Sequence, residues 1–113
     1  RARDGQITVD EMTGGTFTLT TKAKADLKSI AIYNQRKWGK EQRRIYIRQF
    51  DDTFHMLSEN PKAGTECDYI KNDYRKFPVT SHVVFYRKTS ETNIEIVRIL
   101  HKNMDARERL LHP

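Results

Sequence analysis

Two stretches of the chain repeat apolar residues at helical spacing and meet at a glycine. Between Thr21 and Trp38, apolar side chains recur every three or four residues and form one stripe. A second stripe covers residues 47–57 and stops before Asn60 and Pro61, because proline disfavours helical backbone in the preceding residue. Gly39 suits the position that closes a helix. The pattern predicts two antiparallel helices joined by a tight turn, with Thr21 capping the first.

Strand patterns lie on both sides of this helical hairpin. Residues 16–20 alternate between polar and apolar side chains, which is the period of a half-buried strand. After a charged loop over residues 61–73, three runs rich in Val, Ile, Phe and Tyr follow. They cover residues 74–77, which end at Pro78, and then residues 81–88 and 93–101, which a polar turn separates. In the last two runs apolar residues occupy both odd and even positions, which point to opposite faces of a sheet. These runs are therefore predicted to be central strands with both faces covered.

The predicted order is β-α-α-β-β-β with a short polar tail over residues 103–113. We therefore predict an α+β fold in which a helical hairpin packs on one face of a small, mostly antiparallel sheet. Residues 1–15 lack this regular pattern of apolar residues and end in two glycines. We therefore interpret them as an extension that is either an expression remnant or a peptide derived from a partner protein; a natural extension is the alternative. Residues 6–9 within it would suit an edge strand. The domain itself is expected over residues 16–113.

The composition favours an anionic partner. The 113 residues include 21 Lys and Arg against 15 Asp and Glu, which gives a net charge of +6. This balance favours nucleic acid or an acidic protein as partner, although many small basic domains bind neither. Cys67 is the single cysteine, and no apolar run reaches the roughly 20 residues of a membrane span. We therefore expect a reduced, cytoplasmic protein with no membrane partner.

Candidate chemistry is cationic rather than metal-based. The four histidines lack metal-ligand spacing to one another or to Cys67, and neither a glycine-rich phosphate loop nor a serine elbow is present. These absences predict no metal, no cofactor and no catalytic residues. The remaining candidates for target binding lie on or beside the predicted strands: Arg75, Lys76, Arg87, Arg98, His101 and Lys102.

Arg98 is the most informative of these cations because it interrupts an apolar run over residues 96–100. An arginine in a central strand needs a carboxylate, a backbone cluster or a bound anion, since an unpaired buried charge is costly. Two interpretations stay open: an internal ion pair, with Asp26 or Asp105, or a functional surface. The register of the strand hairpin is also open, so the pattern does not say whether Arg87 and Arg98 share a face.

Several of these segments, in this order, resemble the ParE toxins of bacterial type II toxin–antitoxin systems, which belong to the RelE/ParE superfamily. The similarity lies in residues 21–27, 33–39, 60–64 and 74–77, and most specifically in the closing segment RILHKNMD over residues 98–105. It extends from residue 16 to about residue 105. The resemblance implies a RelE/ParE-like fold and a toxin that a cognate ParD-like antitoxin neutralises in a hetero-oligomeric complex.

The resemblance implies one of two toxic mechanisms. ParE-like members inhibit DNA gyrase, block replication and arrest growth by binding, whereas RelE-like members are ribosome-dependent mRNA endonucleases. The late tyrosine of some ribonuclease members is missing, because the last tyrosine is Tyr86. The match over residues 98–105 favours the gyrase class and no enzymatic activity. In the ribonuclease alternative, His101 would be the acid or base, and Arg98 and Arg75 would stabilise the cleaving phosphate.

Both mechanisms include antitoxin binding. The resemblance implies that a C-terminal antitoxin segment orders as it binds and lays apolar side chains in a groove over the helical hairpin and the sheet edge. A copy that only binds antitoxin is a third possibility. The residues expected to bind the antitoxin lie in the two helices: Leu27, Ile30, Tyr33, Phe50 and Phe54.

Overall fold

The computed structural model describes residues 15–111. These residues form β1 (Thr16–Leu19), α1 (Thr21–Trp38), α2 (Lys40–Glu59), a 3₁₀ turn (Pro61–Ala63), β2 (Thr65–Glu66), β3 (Tyr74–Val79), β4 (His82–Lys88), β5 (Asn93–His101) and α3 (Ala106–Leu111). The predicted α+β fold with its strand, helical hairpin and three strands is confirmed. The strand expected over residues 6–9 lies outside the described part of the chain, as does the predicted extension apart from Gly15.

The strands form one sheet in the order β1-β5-β4-β3-β2. β1 runs parallel to β5, and the other neighbouring strands are antiparallel. Parallel neighbours such as β1 and β5 need a long connection between them. The helical hairpin provides most of it, because it carries the chain from β1 at one edge of the sheet to the opposite edge, from which β3, β4 and β5 return. Gly15 packs so closely against α2 that an added Cβ would lie 2.5 Å from the carbonyl oxygen of Ser58.

Two predicted boundaries are wrong. Thr20, not Thr21, caps α1, since its backbone is extended and its Oγ1 accepts a hydrogen bond from the N–H of Ala23 at 3.0 Å. Pro78 does not end β3, which continues to Val79. Proline is tolerated there because β2 pairs with β3 only as far as Lys76, so this part of β3 lies at the edge of the described sheet.

The last described segment is a helix and not a polar tail. Asp105 precedes α3 and caps it, because its side chain accepts a hydrogen bond from the N–H of Glu108 at 3.2 Å. Leu110 is buried and packs with Phe85, Leu100 and other residues in a second apolar cluster. Leu110 and the partly buried Ala106 therefore pack the helix against the sheet.

Both faces of the sheet are covered, as predicted. Consecutive residues of a strand point to opposite faces, and Val84 belongs to the main core whereas Phe85 belongs to the second cluster. The main core joins α1 and α2 to the sheet, and the second cluster lies under Cys67 and α3. The helical hairpin therefore has one buried face against the sheet and leaves its remaining surface for other contacts.

Candidate functional site

Arg98 forms an internal ion pair with Asp26, which is one of the two partners that the sequence left open. The Nε and Nη2 atoms of Arg98 lie 2.8 and 2.9 Å from the two carboxylate oxygens of Asp26. Both side chains are 14% exposed. The hydrogen bonds to Asp26 raise the pKa of the Arg98 guanidinium above its ordinary value. Arg98 is therefore not a free cation on the sheet.

The start of α1 takes the place of β1 along the edge of β5. β1 pairs with β5 only as far as Ile96. Beyond it, the hydroxyl of Thr20 donates to the carbonyl oxygen of Val97 at 2.8 Å, and Asp26 accepts from the N–H of Ile99 at 2.9 Å. The pairing of β4 with β5 is irregular at this point, so Val97 has no partner in register. These side chains satisfy backbone groups that would otherwise lie at an unpaired edge.

The other cations expected to bind the target are mostly engaged with neighbours. Arg75 donates to the carbonyl oxygen of Gly64 at 2.8 Å and pairs with Glu66 at 3.2 Å. Arg87 pairs with Glu95 at 3.1 Å. Lys76 donates to the hydroxyl of Tyr69 at 2.9 Å, whereas Lys102 has no side-chain partner among residues 15–111. These residues therefore lie on or beside the same sheet, but they do not form a single anion-binding site.

His101 lies beside His82 at the end of the β4–β5 hairpin. The two residues are partners in register, and their rings are 5.3 Å apart and nearly perpendicular. The Nδ1 of His101 accepts from the N–H of Asn103 at 3.1 Å, and the Nδ1 of His82 lies 2.8 Å from the hydroxyl of Tyr46. Burial lowers the pKa of His82, His101 lowers it further, and Asp26 acts in the opposite direction. Within residues 15–111, no cluster of His, Cys, Asp or Glu side chains could hold a metal ion.

A groove of about 430 Å³ lies between α1 and α2, and we call it the hairpin groove. Its floor is apolar and its rim is entirely cationic. Eight residues line it: Leu19, Leu27, Ala31 and Ile47 at the floor, and Lys24, Lys28, Arg43 and Arg44 at the rim. Arg44 also contacts Glu41, but the other three rim cations have no side-chain partner among the described residues. The groove therefore suits a segment that carries both apolar and acidic side chains.

The residues expected to bind the antitoxin divide into two groups. Leu27 lies at the floor of the hairpin groove and Tyr33 is exposed. Ile30, Phe50 and Phe54 are enclosed in the core, with exposures of 7%, 0% and 2%. Sequence periodicity identifies the apolar stripe of a helix, but it does not separate the residues that face the sheet from those at the border of the stripe.

Sequence reasoning missed the cations of the groove rim. Lys24 and Lys28 are four residues apart, as are Leu27 and Ala31, so α1 carries a cationic row beside an apolar one. That spacing was the available signal. Arg43 and Arg44 come from the other helix, and only the packing of the hairpin brings them to the same groove.

A larger depression of about 1100 Å³ lies beside the end of α2, between the 3₁₀ turn and the β4–β5 turn. Its charges are mixed: Lys62, Arg75 and Lys88 accompany Glu66, Asp68, Asp73 and Glu91. It therefore has no preference for a partner of one sign, in contrast to the hairpin groove. None of the helices within residues 15–111 is long and apolar enough to cross a membrane.

Most of the chain matches one known protein family. Residues 17–106 match the family described as ParE toxin of type II toxin-antitoxin system, parDE. The chain belongs to the ParE toxin family. The match spans the sheet from Phe17 onward and the helical hairpin, so both the hairpin groove and the Asp26–Arg98 pair lie inside the ParE toxin domain.

Relatives of this ParE toxin extend over most of its length. It is 39% identical over 94 residues to Toxin ParE1 of Caulobacter vibrioides, an alignment that covers 83% of this chain and 96% of that protein. It is 36% identical, with the same coverage, to Toxin ParE1 of Mycobacterium tuberculosis. A solved structure described as the chromosomal ParDE TA system from P. aeruginosa has a TM-score of 0.66 at 20% identity, covering 79% of this chain and 97% of that one. That likeness confirms the fold.

Proposed function

We propose that this ParE toxin inhibits DNA gyrase, blocks replication and so arrests growth, and that a ParD-like antitoxin neutralises it. Membership of the ParE toxin family supports the role of toxin. The closing segment over residues 98–105, which favours the gyrase class, supports the target. The antitoxin and the target both belong to the bacterial cytoplasm, so the toxin acts there.

The toxin acts on its target by binding and not by catalysis. In the endonuclease alternative, Arg98 and Arg75 would stabilise a cleaving phosphate beside His101. Both arginines already hold a carboxylate, Asp26 and Glu66 respectively. Releasing Arg98 would leave Asp26 as an unpaired, mostly buried charge, which is costly. The internal pairing of Arg98 supports a toxin that binds its target without cleaving it.

The antitoxin lies in the hairpin groove. Four cations at the rim of an apolar floor are the single observation that carries this assignment. An amphipathic acidic segment would place apolar side chains on Leu27 and its neighbours and carboxylates against the rim. The larger depression, with its mixed charges, offers no such complementarity.

Purified toxin tests the target. We expect it to block supercoiling by gyrase or to trap cleaved DNA, and in cells we expect DNA synthesis to fall before protein synthesis. Intact supercoiling at a large molar excess of a toxin that arrests growth would contradict gyrase as the target. An early fall in protein synthesis with cut transcripts, lost in His101→Ala, would establish the endonuclease instead.

A further inference from the structure

The turn between the two long helices exposes a concentration of large apolar side chains. Seven large hydrophobic residues are exposed among residues 15–111, and four of them lie between residues 32 and 45. They are Ile32, Tyr33, Trp38 and Ile45, of which Trp38 is 62% exposed. We call residues 32–45 the hairpin tip. Scattered exposed apolar residues are ordinary, whereas this end of the hairpin concentrates four of them within 14 consecutive residues.

The hairpin tip is also strongly cationic. Five basic residues lie in it against the single acid Glu41, which gives a formal charge of +4 over 14 residues. All five side chains are exposed: Arg36, Lys37, Lys40, Arg43 and Arg44. The tip therefore attracts an acidic partner and directs its approach.

The ammonium group of Lys37 lies near both aromatic side chains of the tip. Its Nζ lies 5.8 Å from the ring centroid of Tyr33 and 5.6 Å from that of Trp38. It also donates to the hydroxyl of Tyr33 at 3.4 Å. The contact with Trp38 lies in the distance range of a cation–π interaction, whereas the ammonium group meets Tyr33 at its hydroxyl and not over its ring face. Both exposed aromatic side chains of the tip therefore lie next to a positive charge.

We propose that the hairpin tip is the surface with which this toxin meets its target, and that the target presents an acidic protein surface with an apolar centre. The inference rests on the proposed function in that the target is a protein. Tryptophan, tyrosine and arginine dominate the energetic centres of protein interfaces. Ile32 and Ile45 favour a protein over nucleic acid, because bases stack on aromatic rings but gain little from aliphatic side chains.

The tip and the hairpin groove share two residues. Arg43 and Arg44 belong to the tip and also line the groove rim. An acidic antitoxin segment in the groove would neutralise these charges and lie beside the tip. Occupation of the groove would therefore weaken the attraction of an acidic target to the tip, so antitoxin binding would oppose target binding.

Tyr69 provides a matched control outside the tip. It is also 62% exposed, and the Nζ of Lys76 lies 5.7 Å from its ring centroid. Like Tyr33, Tyr69 is an exposed tyrosine whose hydroxyl accepts a hydrogen bond from a neighbouring lysine. Its surroundings differ, because Tyr69 is the only exposed large hydrophobic residue between residues 46 and 103.

The test compares growth arrest by the full chain, expressed without antitoxin, with arrest by the variant Tyr33→Ala/Trp38→Ala. We expect the variant to need at least about tenfold more protein for the same arrest, the loss typical of removing an interface centre. Its thermal unfolding should match the unaltered toxin, since both side chains are exposed. Its binding to an acidic antitoxin peptide should also match, because neither Trp38 nor Tyr33, which the sequence assigned to the antitoxin, lines the hairpin groove. Tyr69→Ala should arrest growth like the unaltered toxin.

Several other outcomes would overturn the proposal. Arrest by the variant at unaltered dose, or an equal loss in Tyr69→Ala, removes the tip as the target surface. Loss of antitoxin-peptide binding in the variant assigns the tip to the antitoxin, and a parallel loss of affinity for a DNA oligonucleotide replaces the protein partner with nucleic acid. An unaltered chain that does not arrest growth overturns this proposal and the proposed function together. Tip-dependent arrest with unaffected gyrase would contradict only gyrase as the target.

Discussion

Asp26 on α1 holds Arg98 on β5 through two hydrogen bonds and also accepts the backbone N–H of Ile99. One carboxylate therefore fixes both a side chain and the edge of a strand. It does so where β1 has ended and the register of β5 is irregular. The first helix is thus attached to the sheet by polar contacts as well as by the apolar core. This arrangement makes Asp26 more important for stability than its position at the border of the core suggests.

Replacing Asp26 by alanine should lower the free energy of unfolding by about 3 kcal/mol, because it leaves a mostly buried arginine unpaired and an edge N–H without its acceptor. Arg98→Ala should cost less, since Asp26 keeps its hydrogen bond to Ile99. Urea denaturation measures both. Glu91→Ala, which breaks a pair with Lys88 at the exposed turn, is the control and should change little. Equal losses in the two pair variants would contradict the second role of Asp26.

Gly39 should resist substitution because of its backbone and not because of crowding. Its φ is 96° and its ψ is 171°, a conformation that is nearly restricted to glycine. An added Cβ would meet no atom within 4 Å. Gly39→Ala should therefore lower the free energy of unfolding by about 1–3 kcal/mol through backbone strain alone. Incorporation of D-alanine, which adopts positive φ readily, should restore stability; a D-alanine variant as unstable as the L-alanine variant would contradict strain as the cause.

The phenol of Tyr86 anchors the segment that leaves α2. Its oxygen accepts from the N–H of Gly64 at 2.9 Å and donates to the carbonyl oxygen of Pro61 at 2.6 Å. The side chain is fully buried, so water does not replace these bonds. Tyr86→Phe should cost about 1–3 kcal/mol in unfolding free energy, because it leaves buried polar backbone groups unsatisfied. Tyr69→Phe removes an exposed phenol and serves as the control; a similar loss there would show that hydroxyl removal has a general effect.

Local periodicity was sufficient to predict the helical hairpin and the strand over residues 93–101, since both depend on apolar spacing within one segment. It was not sufficient for α3, because six residues with one buried leucine leave no periodic signal. The parallel pairing of β1 with β5 depends on how the hairpin returns the chain. No pattern within either strand specifies it.

Predicting the interaction surfaces was harder than predicting the fold because those surfaces form between segments. Arg43 and Arg44, taken alone, have the pattern of a solvated helix face, and the same is true of Lys24 and Lys28. Only the antiparallel packing of α1 and α2 joins them around one apolar floor. Similarly, Asp26 and Asp105 were equal candidates for Arg98, and the placement of α1 against the β5 edge decides between them.

The partly buried His82 should make the protein less stable in mild acid. Burial holds the pKa of His82 below its ordinary value, with a further lowering by His101 and an opposing effect of Asp26. Below about pH 6.5 the unfolded chain therefore binds a proton more readily than the folded one, and stability is lost as pH falls. Unfolding free energies at pH 7.5 and 5.5 should differ less in His82→Asn, which no longer titrates.

His101→Asn provides the comparison for this pH dependence. It removes the neighbouring histidine but leaves burial, which is the larger cause of the lowered pKa of His82. We therefore expect a reduced but clear dependence of stability on pH in this variant. A dependence that is unchanged in His82→Asn, or abolished in His101→Asn, would assign the effect to other groups.

Charge reversal at the hairpin groove should separate antitoxin binding from folding. Lys24→Glu/Lys28→Glu places two carboxylates at the rim beside the apolar floor, where they would repel an acidic segment. Both side chains are exposed, so the free energy of unfolding should change little. We expect affinity for an acidic ParD-like C-terminal peptide to fall at least about tenfold, since like charges in an interface cost more than 1.4 kcal/mol. Titration calorimetry measures the affinity.

Lys22→Glu/Lys62→Glu is the matched control for this reversal. It makes the same change in net charge at two exposed lysines that do not line the hairpin groove. If affinity depends only on the overall charge of the toxin, both double variants should weaken binding equally, and they should do so less as salt is raised. A loss confined to Lys24→Glu/Lys28→Glu would support the groove as the antitoxin site. Equal losses would show that the antitoxin responds to the basic character of the whole domain.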